Sequence, residues 1–165
     1  MVHHEIVLPY TKPETEWVHG RALQKASPKR THSFLQGAMT IELTRWAAGR
    51  GGVGPEWRSR VAPPGEIRRP LVPDVAYVSK ARLRASSDED LEVPPFAPDV
   101  AVEILSPDDR RSFSLVIVVD PQKRFVELHD PLATECLAEN AAIEHAALPG
   151  FRYPVRDLFA VLRRP

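Results

Sequence analysis

Asp99 and Glu103 stand inside one strongly apolar run, Pro98-Asp99-Val100-Ala101-Val102-Glu103-Ile104-Leu105-Ser106-Pro107. On a strand, alternate side chains share a face, so Asp99, Ala101 and Glu103 point one way and Val100, Val102 and Ile104 the other. A carboxylate in so apolar a setting needs a reason, because burying an unpaired charge is costly. The tetrapeptide Pro-Asp-Val-Ala also occurs at Pro73 to Ala76, where Asp74 opens a second apolar run, Val75 to Val78. If the two runs are neighbouring strands, Asp74 and Glu103 can converge on one hard cation. The alternative is that both Pro-Asp pairs are turn residues feeding strands, a common use of Pro and Asp.

The elements that must position these residues follow from periodicity and turn chemistry. Thr15 to Ala26 reads as a hairpin that turns at His19-Gly20. Thr31 to Arg50 is the best helix, with Phe34, Leu35, Ala38, Met39, Leu43 and Trp46 in a wide apolar arc and Ser33, Gln36, Thr40 and Thr44 opposite. Glu42 falls near Arg45, as an ion pair at the helix edge or a residue reaching over the sheet. Gly49, Gly51 and Gly52 stop the helix, and Trp57 to Val61 reads as a short strand between turns. Ser79 to Leu91 is polar and ends in Ser86-Ser87-Asp88-Glu89-Asp90, which reads as a mobile loop. Val100 to Leu105 and Leu115 to Val119 are the kind of run found in the middle of a sheet covered on both faces. Asp120 to Lys123 turns the chain into a strand over Phe125 to His129. Weaker strands follow near Glu135 to Leu137 and Ile143 to Ala146. Pro154 to Leu162 predicts a final helix with Leu158, Phe159 and Leu162 inward. The whole is an α+β domain.

The bulk composition bounds the answer. At 165 residues the chain is the size of one domain, residues 1–165 with a core from about 15 to 162. Lys plus Arg and Asp plus Glu are equal at 22 each, so no global positive field advertises nucleic-acid binding. Any such binding must come from local clusters: Arg58, Arg60, Arg68 and Arg69; Arg82 and Arg84; Arg110 and Arg111. The single cysteine, Cys136, excludes an intramolecular disulfide and is expected as a small buried hydrophobe in a reducing, cytoplasmic setting. No apolar run approaches the roughly 18 residues of a membrane span. Trp17, Trp46 and Trp57 are most simply core or interface residues.

Taken in order, the blocks Glu16-Trp17-Val18-His19-Gly20-Arg21-Ala22, Ser27-Pro28 with His32 opening a helix, Pro73 to Ala76, Pro98 to Pro107, Val118-Val119-Asp120-Pro121, and Leu148-Pro149-Gly150-Phe151 before Leu158-Phe159 resemble the Uma-two-type family. That family is placed among endonucleases of the PD-(D/E)XK, restriction-endonuclease-like superfamily. The resemblance implies a mixed sheet flanked by helices, with one divalent metal, Mg²⁺ or Mn²⁺, at the mouth of the sheet. It assigns Asp74 and Glu103 to the metal and matches Glu16 to the acidic residue of the first hairpin. It puts a histidine where His32 stands; on its own, that residue reads as a capping or packing histidine. Asp99, four residues before Glu103 on the same strand face, is a possible accessory residue, and Arg110 and Arg111 are possible DNA contacts. Dimers are common in the family, so a homodimer is an expectation.

The chain also departs from the pattern. The superfamily signature wants a lysine two residues after the glutamate, and that position is Leu105. The resemblance then implies a lysine on a helix before the Val-Asp-Pro strand. Only nine residues, Ser106 to Ser114, separate Leu105 from Leu115, and none is a lysine. The family's strands are parallel there, and a parallel crossover needs about a dozen residues or more. Either the strands are arranged differently, or the helix has been lost, or the natural chain carries further residues between about Arg111 and Leu115. The last is favoured, since losing a core helix would expose an apolar face of Leu115 to Val119.

Three functions remain open on these grounds. The first is a metal-dependent DNA endonuclease built on Asp74, Glu103 and Glu16. The second is a catalytically silent DNA-binding or protein-interaction descendant, in keeping with Leu105 and the balanced charge. The third is a metal hydrolase acting on small phosphoesters, because a fold does not dictate its substrate.

Overall fold

The computed structural model describes residues 5–18, 20–24, 28–62, 67, 69–105 and 115–163. In chain order the elements are β1 (Thr15–Val18), β2 (Arg21–Gln24), α1 (Arg30–Ala47), β3 (Gly51–Pro55), β4 (Ser59–Val61), β5 (Arg69–Leu71) and β6 (Val75–Ser79). There follow α2 (Lys80–Ala85), α3 (Asp88–Glu92), β7 (Val100–Ile104), β8 (Val116–Asp120), β9 (Phe125–His129), β10 (Thr134–Leu137), β11 (Ala142–Ile143), β12 (Tyr153–Pro154) and α4 (Val155–Ala160). The main sheet has six strands in the order β10-β9-β8-β7-β6-β3. Its β7–β8 pair is parallel and its other pairs are antiparallel, which makes it mixed, as expected.

The two apolar runs singled out in the sequence form the centre of this sheet, and every residue of β7 and β8 is buried. Alternation then sorts their side chains. Val75, Tyr77, Val100, Val102, Ile104, Ile117 and Val119 join one hydrophobic core with α1 and α4, leaving Glu103 on the opposite face. Helix α1 contributes Leu35, Met39, Leu43 and Ala47, one residue every four, so its buried stripe is narrower than the arc expected. Phe34 lies outside it, 45% exposed. Glu42 forms the ion pair with Arg45, at 2.5 Å. Trp46 packs edge-on against Tyr77 and donates to the Pro149 carbonyl. In α4, Leu158 and Phe159 are fully buried; the helix ends at Ala160, and Leu162 beyond it is half-buried.

Several expectations are corrected. Of the glycines expected to stop α1, Gly49 follows the helix end in the left-handed region at φ 74°, whereas Gly51 and Gly52 begin strand β3. A Cβ on Gly51 would meet the Val78 carbonyl at 2.2 Å, so only glycine lets the edge strand lie this close to β6. The polar stretch Ser79 to Leu91, with its expected loop at Ser86 to Asp90, is largely helical. It forms α2 and α3, the latter capped by the Ser87 hydroxyl accepting the Asp90 N–H at 3.1 Å, with Asp88, Glu89 and Asp90 suited to the positive helix start. Cys136 is exposed, because β10 is the sheet's outer strand and only Leu137 of that strand turns inward.

The crossover is also settled in part. β7 and β8 do pair in parallel, with Glu103 beside Val118, and hydrogen bonds from Ala101 N to Leu115 O and from Leu105 N to Val119 O extend the ladder at both ends. A different strand arrangement is therefore excluded. Leu115 to Val119 are all buried, none more than 8% exposed, so the bare apolar face that favoured additional residues is not present. Ser106 to Ser114, with Arg110 and Arg111, lie outside the described residues, as do His19 and Ser27.

The two kinds of glycine give a paired test of this packing. Gly51→Ala is expected to lower stability by about 1–3 kcal/mol through overpacking. Gly37→Ala, on α1 where an added Cβ meets nothing within 4 Å, is expected to raise it by about 0.5–1 kcal/mol. Denaturant unfolding of both variants checks the opposite signs.

Candidate active site

Strands β6 and β7 run antiparallel with Val75 opposite Val102 and Ala76 opposite Ala101. One step further, the same register brings Asp74 opposite Glu103. The Asp74 carboxylate does reach β7 there, its Oδ2 accepting the Ile104 N–H at 2.8 Å. Both acids are buried, at 3% and 5% exposure. Antiparallel pairing also explains why the repeated Pro-Asp-Val-Ala does not make two equivalent sites: Asp74 precedes β6 and Asp99 precedes β7, so they fall at opposite ends of the strand pair.

Asp99 accordingly serves the other end. Its Oδ2 accepts the Ser79 N–H at 2.8 Å, and Oδ1 lies 3.5 Å from Arg82. The Tyr77 phenol is pushed above its usual pKa by burial first and then by the Asp99 charge. Asp99 is not brought to Asp74 and Glu103.

Helix α1 grips Asp74 from the core side. His32 Nε2 lies 3.1 Å from Asp74 Oδ2, and with that carboxylate ionised the nitrogen carries the hydrogen. One turn on, Gln36 Nε2 donates to the Asp74 main-chain carbonyl at 2.9 Å. Gln36 was expected on the outer face with Ser33 and Thr40. It instead borders the buried stripe, and its signal in the sequence was a polar side chain four residues after a histidine.

Glu16, on β1, is 2% exposed and its Oε1 accepts the Val72 N–H at 2.8 Å. It thereby ties the first hairpin to the segment that feeds Asp74. Of the arginine clusters, Arg58 serves Leu8 O and Glu14, Arg60 serves Glu5, and Arg82 serves Ala97 O and Asp99. These side chains are engaged by groups of the chain itself, Arg60 and Arg82 at partly exposed positions. Leu105, at the position of the signature lysine, is half-buried with its N–H in the β8 ladder.

The donor set is hard carboxylate oxygen in an apolar setting, which suits Mg²⁺ or Mn²⁺ and not a soft metal. Among the described residues, no group of three or more His, Cys, Asp or Glu is placed to hold an ion unaided. Two carboxylates remain compatible with Mg²⁺, which commonly keeps waters and substrate phosphate as its other ligands.

Comparison with known proteins bears on this arrangement. Residues 5–156 match the family model described as "Uma2: Putative restriction endonuclease". The chain belongs to the Uma2 family. A crystal structure described as "a putative nuclease belonging to DUF820 from Anabaena variabilis ATCC 29413" matches with a TM-score of 0.78 at 24% identity, covering 94% of this chain and 95% of that one. At that identity the likeness speaks for the fold, and it supports the α+β arrangement of a six-stranded mixed sheet with few helices. No curated protein matches the sequence. No helix among the described residues is long and apolar enough to cross a membrane.

The hydrogen bonds separate Glu16 from Asp99 in a measurable way. Glu16→Ala leaves the buried Val72 N–H without its acceptor and is expected to destabilise this Uma2 protein by about 1–3 kcal/mol. Asp99→Ala, with its partners nearer solvent, is expected to cost less, and thermal unfolding of the two ranks them.

Proposed function

We propose that this Uma2 protein is a metal-dependent DNA endonuclease that hydrolyses phosphodiester bonds, with Asp74 and Glu103 as the ligands of Mg²⁺ or Mn²⁺. The observation that carries the reading is the Asp74 carboxylate, buried in the sheet and hydrogen-bonded to β7 at the residue after Glu103. Like charges brought together in such a place favour a cation between them. When bound, a divalent cation supplies polarisation of a phosphoryl oxygen and a lowered pKa for water.

The chain's own residues do the positioning. His32 and the Ile104 N–H both address Asp74 Oδ2, fixing the direction of the carboxylate. Glu16 holds the Val72 peptide two residues upstream and so orders the approach to Asp74. The apolar surroundings of β7 exclude competing water from the buried side. DNA is the proposed substrate from the family's character, and a homodimer is the proposed assembly.

A catalytically silent DNA-binding or protein-interaction role is the second reading, favoured by one observation: Leu105 supplies no positive charge where the superfamily signature has lysine. Two measurements separate them. With Mg²⁺ or Mn²⁺ the purified protein is expected to nick supercoiled plasmid, and Asp74→Ala to abolish the nicking. Calorimetry is expected to detect Mn²⁺ binding at millimolar concentration or below; absence of both binding and nicking favours the silent role, and nicking that survives Asp74→Ala rejects this site.

A further inference from the structure

Asp74 stands just outside the regular ladder: it precedes β6, whose pairing with β3 and β7 begins at Val75, and it follows Pro73, which has no N–H to donate. Strand pairing reaches its peptide only through Glu56, the residue after β3 that the register sets opposite it. Its carbonyl accepts two hydrogen bonds, from the Glu56 N–H at 3.2 Å and from Gln36 Nε2 at 2.9 Å. The second comes from α1, four residues after His32, which meets the carboxylate of the same aspartate. Residues four apart on a helix lie one above the other on a single face. His32 and Gln36 thus form a two-point grip, one on the side chain and one on the main chain of Asp74.

We infer that Gln36 is a positioning residue of the candidate centre: through the Asp74 carbonyl it fixes the peptide from which the carboxylate projects, and so keeps Oδ2 between His32 and Ile104. A packing role alone would be met by an apolar side chain of the same length, since Leu35, Met39 and Leu43 on the neighbouring turns are apolar and buried. The amide matters because only a donor can meet the carbonyl. The catalytic consequence rests on the endonuclease reading, whereas the grip itself does not.

Two variants and two readouts test it. Gln36→Met keeps length and bulk without a donor, and Gln36→Glu keeps the shape but replaces the donor with an acceptor. In the unsubstituted protein, nitrogen-edited NMR should show a solvent-protected Nε2–H on His32, held by Asp74. Both variants should stay folded, lose or broaden that signal, and lower kcat for plasmid nicking by about 10- to 100-fold with KM for DNA changed less than about twofold. A Gln36→Met protein that retains both the imidazole signal and the full kcat overturns the inference. If the unsubstituted protein cuts no DNA, the endonuclease reading fails separately. The NMR arm then decides alone: loss of the signal in Gln36→Met supports the grip, and its retention refutes it.

Discussion

An ionised carboxylate placed among valines and alanines loses most of its hydration, and the fold must supply hydrogen bonds or a cation in return. Asp74 and Glu103, 3% and 5% exposed, both face that requirement within one pair of strands. The antiparallel register of β6 and β7 makes them neighbours. The Ile104 N–H, at 2.8 Å from Asp74 Oδ2, gives part of the compensation through the backbone itself, and His32 adds to it from α1. Such groups are costly to keep for stability alone, since well-packed apolar residues often serve as well or better. Their presence at the edge of an otherwise apolar pair of strands is what gives the site its functional reading.

The helix and the site depend on the same packing. Leu35, Met39, Leu43 and Ala47 are buried along one line of α1, which sets the helix on the core face of the sheet and fixes its rotation. His32 and Gln36 form a row bordering that line near the helix start and so arrive at Asp74. Two residues upstream, Glu16 secures Val72 from the first hairpin. The result is an aspartate held by a helix, a neighbouring strand and a hairpin-anchored segment. A loss of core packing under α1 would therefore loosen Asp74 without touching it.

Much of this was legible in the sequence, for definite reasons. The runs at Val100 to Leu105 and Leu115 to Val119 read as central strands because they are β-branched and nearly continuous in apolar residues, and the Asp120 turn carries its own chemistry, with Oδ1 accepting the Gln122 and Lys123 N–H groups. The hairpin at Thr15 and the long helix followed from turn residues and period. What failed to read were features decided by tertiary contact. Gly51 to Pro55 has little strand propensity, yet becomes β3 because glycine permits close approach to β6. The helix α3 was written in Ser87-Asp88-Glu89-Asp90 as a cap and acidic first turn, but its polarity suggested a loop. Gln36 looked like a surface residue until the helix was rotated by the narrow stripe of Leu35, Met39 and Leu43. Arg58, Arg60 and Arg82, which looked like candidate phosphate contacts, bond internally.

Position 105 supplies no lysine, so the endonuclease proposal turns on whether Asp74 and Glu103 share an ion. The most direct measurement is a crystal structure of the protein grown with Mn²⁺, read by anomalous scattering. An ion peak shared by the carboxylate oxygens of Asp74 and Glu103 is the predicted result. A peak seated on other residues, or none at a Mn²⁺ concentration that saturates hard-oxygen sites, would contradict the account.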